Sequence, residues 1–113
     1  MSHTELELKF FLNLRKKPDG VSSADMIAAA PEHFAWMRER HDRGEVVMSG
    51  PSADLRYGIY LIRARSQEEA ERIAADDPFT VRGLGVPEVI RWDIHQIMGV
   101  GLFEPPAIPG VNA

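Results

Sequence analysis

Histidine and aspartate are the side chains of this 113-residue chain that are best suited to catalysis. The chain holds four histidines and no cysteine, which excludes disulfides, thiolate nucleophiles and cysteine-ligated metals. No two histidines stand at the H-x-x-x-H or H-x-H spacing of a metal site, so we expect no zinc. The G-x-S-x-G nucleophile elbow and the dinucleotide fingerprint are also missing. These residue types leave open general acid–base catalysis by a histidine and a carboxylate, without metal or cofactor.

His33 is the histidine whose position is most informative. It stands two residues after Pro31, which we expect at the first position of a helix, where its missing N–H costs nothing. His33 would then lie in the first turn, at the edge of the apolar stripe formed by Phe34 and Met37. The positive end of the helix dipole favours a neutral imidazole there, and a neutral imidazole can accept a proton. On position alone, however, we favour a structural histidine that is bonded to a backbone carbonyl.

Asp77 is the carboxylate that could act with His33. It precedes Pro78 at the predicted end of the second helix, where a turn or cap role is the more common one. If the two helices lie side by side on one sheet, His33 and Asp77 can meet in the groove between them. A carboxylate bound to an imidazole fixes its tautomer and stabilises its protonated form. Such a pair would require heavy atoms about 2.6–3.2 Å apart, or joined through one water.

Other residues are weaker candidates, and they concern substrate binding. Arg15 could steer an anionic substrate, and either Arg15 or backbone N–H groups around Gly50 could hold an oxyanion. Trp36 and Phe79 could form walls for a flat ring, although core packing is the commoner role of aromatic residues. The predicted substrate-binding set is Arg15, Trp36, Ser49, Gly50, Pro51 and Phe79.

The composition is that of an ordinary globular domain. Hydrophobic residues make up 44% and charged residues 27%, and the net charge is -4. The sequence lacks the basic excess of a nucleic-acid binder and any apolar stretch near the roughly 20 residues of a membrane helix. Its first residues do not follow the pattern of a signal peptide. We therefore expect a single cytoplasmic domain over residues 1–113 that binds a small molecule and contacts neither nucleic acid nor membrane.

Hydrophobic periodicity and turn residues predict the elements that must position these side chains. Alternation predicts a strand over 5–14, with Phe10, Leu12 and Leu14 on one face and Phe11 and Asn13 on the other. The remaining predicted elements are a helix over 31–43 closed by Gly44, a strand over 46–48, a turn over 49–51, a strand over 57–64, a helix over 67–75 capped by Ser66, and a strand over 89–98.

The order β-α-β-β-α-β is the ferredoxin-like split βαβ pattern, an α+β fold. Two helices cover only one face of a four-stranded sheet. We expect the other face to carry Phe11, Val47 or Met48, Tyr60 and Ile62, which is too apolar to remain exposed. The pattern therefore predicts a homodimer with stacked sheets. The tail holds three of the eight prolines, so we expect a Pro-rich arm over about 99–113, with Leu102 and Phe103 packed near the pocket mouth.

Three motifs in order resemble the YCII-like family. They are Pro31-Glu32-His33-Phe34, then the run from Gly44 to the Gly-Pro pair at 50–51, then Asp77-Pro78-Phe79 after the second helix. The resemblance spans roughly Leu6 to Trp92 and implies a dimeric ferredoxin-like α/β barrel. It also implies that His33 and Asp77 form the family's His-Asp dyad, which favours the catalytic interpretation of both residues.

Characterised relatives in that family carry out cofactor-free chemistry on small molecules, including loss of HCl from a chlorinated hydroxyquinol. The resemblance thus implies a lyase, such as a dehydrochlorinase, or an isomerase of a small cyclic hydroxylated metabolite from aromatic degradation. His33 would abstract a proton and Asp77 would stabilise the imidazolium. The alternative is a non-catalytic small-ligand-binding or sensor module on the same scaffold. The segment 21–30 and the tail after Gly99 depart from shorter members, so the substrate does not carry over.

Overall fold

A computed structural model describes residues 8–97 and 101–102, and it contains a four-stranded antiparallel sheet in the order β2-β3-β1-β4. The helices pack on one face of this sheet, which is the ferredoxin-like α+β arrangement that the sequence predicts. The elements are β1 (Lys9–Lys16), α1 (Ser23–Asp42), β2 (Val46–Pro51), β3 (Tyr57–Ala64), α2 (Gln67–Ala75), α3 (Pro78–Val81), β4 (Val86–Arg91), β5 (Gln96–Ile97) and β6 (Gly101–Leu102). Across the described residues, no helix is both long and apolar enough to cross a lipid bilayer.

The first helix is longer than predicted, because it begins at Ser23 instead of Pro31. Ser22 and Asp25 form a reciprocal capping box that starts the helix, and Pro31 lies inside it. His33 is therefore in the middle of α1. Because the dipole effect fades beyond the first turn, the argument that the helix N-terminus keeps His33 neutral is wrong. The predicted end is confirmed, since Gly44 follows the helix with φ +71°.

Two other boundaries differ from the prediction. The predicted turn at 49–51 is part of β2, which extends to Pro51. A proline is tolerated there because β2 is an edge strand and its missing N–H breaks no ladder bond in the interior of the sheet. The last strand of the sheet ends at Arg91 instead of continuing to residue 98. The side chains of the predicted arm over 99–113 lie outside the described part of the structure, so the packing of Leu102 and Phe103 stays a prediction.

The two faces of the sheet are the reverse of the prediction. Phe11, Tyr60 and Ile62 are 1%, 2% and 0% exposed, and they face the helices instead of a partner. Alternation shows which residues share a face, but it does not show which face receives the helices. The polar residues Asn13 and Arg15 share the face of Phe11 and are also buried.

The side of the sheet away from the helices is also largely apolar, with different residues. Cross-strand pairing places Leu12 with Ile90, and Leu14 with Ile59, on this side. We name this surface the open apolar face, formed by Phe10, Leu12, Leu14, Met48, Ile59, Leu61 and Ile90, with Arg63 and Glu88 on the same side. Of the residues predicted for this side, Met48 lies there at 59% exposure, whereas Val47 lies at an irregularity in the strand pairing.

Candidate active site

Asp77 lies at the junction between the second and third helices. The residue before a proline avoids the helical region, so the chain leaves α2 before Pro78 and Asp77 becomes the N-cap of α3. Its Oδ1 accepts a hydrogen bond from the backbone N–H of Phe79 at 3.0 Å. The side chain is completely buried. A buried carboxylate requires charged or hydrogen-bonding partners, and this one receives them from three other elements.

The partners of Asp77 are side chains of β1, α1 and β3. Arg15 donates from Nη1 to Oδ2 at 2.7 Å, and the Tyr60 hydroxyl donates to the same oxygen at 2.9 Å. His33 Nδ1 lies 2.9 Å from Oδ1, which is the contact expected from the sequence. We name these four residues the Asp77 cluster. The cluster thus joins the two inner strands of the sheet, the first helix and the turn before α3.

The charges of the cluster determine its protonation. Burial acts to raise the pKa of Asp77, but the hydrogen bond from His33 and the positive charge of Arg15 outweigh it, and the net pKa is below its ordinary value. Burial, and then the negative charge of Asp77, raise the pKa of Tyr60. Asp77 is therefore ionised near neutral pH, and Tyr60 stays protonated and donates to it.

The tautomer of His33 follows from this arrangement. An ionised carboxylate only accepts hydrogen bonds, so Nδ1 must carry the proton that faces Asp77. In the neutral ring, Nε2 then carries a lone pair, and no described residue forms a hydrogen bond with it. The ring is 7% exposed and stacks on Phe79 with the ring centroids 4.5 Å apart. An imidazole that is oriented by a carboxylate in this way is suited to accept a proton at Nε2.

Arg15 is held in place on several sides, and its predicted role in steering an anionic substrate stays a prediction. Its guanidinium lies 4.5 Å from the ring centroid of Phe79 and is bonded to Asp77. Gly58 and Gly85 flank the side chain so closely that a Cβ at either position would collide with it. Glycine is needed at both positions because a side chain passes directly over the backbone.

A cavity of about 550 Å³ adjoins the cluster. This volume is typical of small-molecule sites. Its apolar wall comes mainly from α1, including Met26 and Ile27 of the segment 21–30, and from Leu55 after β2. His33 and Tyr60 of the Asp77 cluster also line it. The predicted binding residues that line this cavity are Arg15, Ser49, Gly50, Pro51 and Phe79; that they bind a substrate stays a prediction.

Trp36 is the predicted binding residue that the structure places elsewhere. Its indole N–H donates to Asp76 Oδ2 at 3.0 Å, and its ring lies in a shallow groove with Pro78 and Val81. A partly buried indole N–H needs a polar partner, and this one is found on the turn after α2, away from the cavity. Trp36 is therefore a packing residue between α1 and that turn.

Tyr60 is the member of the cluster that the sequence analysis missed, because it was assigned to a partner contact. The signal that could have found it is the polar pair Asn13 and Arg15, which alternates on the same face as Phe11. Polar residues that continue a core-facing row indicate a buried polar site on that row. In the register of β1 and β3, Tyr60 lies opposite Asn13. Within the described part of the chain, no group of three His, Asp or Glu side chains is arranged to hold a metal ion.

Comparisons with known proteins agree with this fold. Residues 9–93 match the family model described as the YCII-related domain. No curated protein matches the sequence. The structure is similar to that of 5-chloro-2-hydroxyhydroquinone dehydrochlorinase from Burkholderia phenoliruptrix AC1100, solved in complex with 2,5-dihydroxybenzoquinone. The two chains are 26% identical with a TM-score of 0.64, and the match covers 74% of this chain and 93% of that chain.

Proposed function

The chain belongs to the YCII-related domain family, and from that premise we propose that it is a cofactor-independent lyase or isomerase of small cyclic hydroxylated compounds. The observation that carries the proposal is His33. Its Nδ1 is bound to a buried carboxylate, and its ring forms part of the wall of a cavity of small-molecule size. The similar solved structure, whose name is that of a dehydrochlorinase acting on a chlorinated hydroxyquinol, supports a lyase.

The proposed reaction begins with proton transfer to His33. Nε2 takes a proton from an O–H or C–H group of the substrate, and Asp77 stabilises the imidazolium that forms. The electron pair left on the substrate either expels a leaving group such as chloride or takes up a proton at another ring carbon. Elimination then loses H⁺ and Cl⁻, and isomerisation loses nothing. Neither outcome requires an oxidant or a reductant.

The other residues act on this step indirectly. Arg15 and Tyr60 are positioning residues, since each holds Oδ2 of Asp77 and leaves Oδ1 for His33 and the Phe79 N–H. We also propose that backbone N–H groups around Gly50 hold the oxyanion. Gly50 lines the cavity on an edge strand, and such strands have N–H groups that no neighbouring strand uses.

A turnover assay tests the proposed activity. The wild-type protein is incubated with 5-chloro-2-hydroxyhydroquinone while chloride release is measured, and with unchlorinated dihydroxy- and trihydroxybenzenes in D₂O while ring C–H exchange is followed by NMR. We expect turnover in at least one assay, and we expect it to be lost in His33→Asn. Thermal stabilisation by these compounds without chloride release or exchange would contradict the proposed activity and favour a non-catalytic binding module.

We further propose that the protein is a homodimer whose two sheets stack through the open apolar face. This surface has apolar residues on all four strands, including Leu12 on an inner strand and Ile90 beside it, and burial of such a surface is the main driving force of association. The occupant must present a complementary apolar sheet, and a second copy does so by two-fold symmetry.

Replacing Leu12 by glutamate is expected to convert the dimer to a monomer, because it would bury a charge against the partner's apolar sheet. Light scattering at micromolar concentration measures the molar mass, and circular dichroism checks the fold. Val81→Glu is the control, since Val81 is an exposed apolar residue of α3 at 68% exposure. A monomeric wild-type protein, or a Leu12→Glu variant of unchanged mass, would refute the stacked sheets.

A further inference from the structure

Two cations line the cavity beyond the Asp77 cluster, and the proposed chemistry does not use them. Lys17 and Arg56 are both on its wall, whereas no aspartate or glutamate is among the described residues that line it. Arg15 also contributes to the wall, but its charge is balanced by the ion pair with Asp77 at 2.7 Å. The cavity therefore has an excess of positive charge that comes from Lys17 and Arg56.

The strand register holds these two cations side by side. Asn13 lies opposite Tyr60, and Arg15 lies opposite Gly58. The backbone N–H of Lys17 donates to the carbonyl of Arg56 at 2.8 Å, which continues the ladder by one more residue pair. Like charges at opposite positions of neighbouring strands destabilise a sheet. We name Lys17 and Arg56 the cation pair, and its repulsion would be relieved by a bound anion.

The carboxylate that pairs with Arg56 neutralises the cation pair only in part. Asp54 Oδ2 lies 3.8 Å from Arg56 Nε, and both side chains are largely exposed. Oδ1 of Asp54 is occupied within the turn, because it accepts hydrogen bonds from Ser52 Oγ at 2.7 Å and from the Arg56 N–H at 3.1 Å. Exposed pairs at such distances are weak. Lys17 has no ion-pair partner among the described residues.

The spacing from the cation pair to the proton acceptor matches a small ring. Lys17 is two residues beyond Arg15 on the same face, which is about 7 Å along an extended chain. An anionic group held by Lys17 and Arg56 would therefore place an attached ring among the apolar residues of the wall, next to Phe79 and His33. Two cations at opposite positions match the two oxygens of one carboxylate, which we therefore take as the anion.

We propose that the substrate of this site is a hydroxylated ring compound that carries a carboxylate, and that Lys17 and Arg56 bind the carboxylate. This inference rests on the proposed function for the identity of the site, and it adds the charge of the substrate. It assigns Lys17 and Arg56 as residues that determine specificity and leaves proton transfer to His33.

Calorimetric titration with two matched compounds tests the inference. The compounds are 2,5-dihydroxybenzoate and 1,4-dihydroxybenzene, which differ only by the carboxylate. We expect wild-type protein to bind the benzoate roughly three- to tenfold more tightly, as two partly exposed ion pairs would provide. The double variant Lys17→Gln/Arg56→Gln should bind both compounds equally. The control Lys16→Gln/Arg65→Gln removes the same charge from residues outside the cavity wall and should keep the preference.

A second measurement uses benzoate alone, so that weak binding of the dihydroxy compounds does not decide the result. Excess benzoate should raise the melting temperature of the wild-type protein more than that of Lys17→Gln/Arg56→Gln. The inference would be overturned if the wild type bound the two dihydroxy compounds equally and benzoate raised the melting temperatures of the wild type and the double variant equally. A preference for 2,5-dihydroxybenzoate that persists in the double variant would also overturn it. Because binding needs no proton transfer, His33→Asn should retain the carboxylate preference. A wild-type protein that prefers the carboxylate compound but gives no turnover would contradict the proposed function and leave the carboxylate site standing.

Discussion

Replacing His33 by asparagine is expected to lower kcat/KM by about 10²–10⁴-fold while the protein remains folded, because general acid–base catalysis by a positioned side chain is typically of this size. The amide nitrogen of asparagine can occupy the position of Nδ1 and still donate to Asp77, but nothing replaces Nε2. The substitution therefore removes the proposed proton acceptor while the hydrogen bond that organises the cluster is kept.

The rate is measured with whichever compound the wild-type protein turns over, and the melting temperature is measured in parallel. His95→Asn is the matched control, since it removes a histidine that does not line the cavity. It should retain the wild-type rate. A His33→Asn variant that is as active as the control would contradict the role of His33 as the base, whereas a large fall in its melting temperature would indicate a structural role.

The order of the elements could be predicted because local residues determine it. Ser66 accepts a hydrogen bond from the Glu69 N–H at the start of α2, and Gly44 adopts the left-handed conformation after α1. Both interactions lie within a few residues of chain. The start of α1 could not be predicted in the same way. The predicted start rests on Pro31, whereas the helix begins at the Ser22–Asp25 capping box and accommodates the proline in its interior.

Only part of the site could be predicted, because some of its contacts depend on how distant segments of the chain pack. The pairing of His33 with Asp77 was expected because the family resemblance implies the dyad, and it is present at 2.9 Å. The contacts of Arg15 and Tyr60 with Asp77 span 62 and 17 residues, and they depend on which face of the sheet the helices cover. Alternation alone does not determine that face. A polar residue in a core-facing row, such as Asn13, is the sequence feature that indicates where a functional site overrides the usual hydrophobic pattern.

The Asp77 cluster is also expected to make a large contribution to the free energy of unfolding. Replacing Asp77 by asparagine is expected to lower the free energy of unfolding by about 3–5 kcal/mol, since it leaves Arg15 buried at 7% exposure without its counter-charge. Asp76→Asn is the control. Asp76 is the neighbouring carboxylate on the exposed side of the same turn and binds only the Trp36 indole among the described residues, so we expect a loss below about 1 kcal/mol.

The pH dependence of this loss distinguishes a charge effect from a packing effect. The folded-state pKa of Asp77 is below its ordinary value of 3.8. A carboxyl group with a lowered pKa contributes stability that is complete above the ordinary value and is lost as pH falls through the folded-state pKa. Denaturant unfolding of the wild type and Asp77→Asn should therefore give a constant difference from neutral pH down to about pH 5, and a shrinking difference below about pH 4.

A second substitution identifies the source of the loss. If the cost of Asp77→Asn comes from an uncompensated guanidinium, then Arg15→Met in the same chain should recover part of it, because methionine fills the space next to Phe79 without a charge. The double variant would then be more stable than Asp77→Asn alone, although Arg15→Met by itself destabilises the wild type by stranding the buried carboxylate. If the destabilisation in the double variant equals the sum of those in the two single variants, and the pH dependence does not change, the four residues contribute as separate packing contacts and not as a charge-compensated unit.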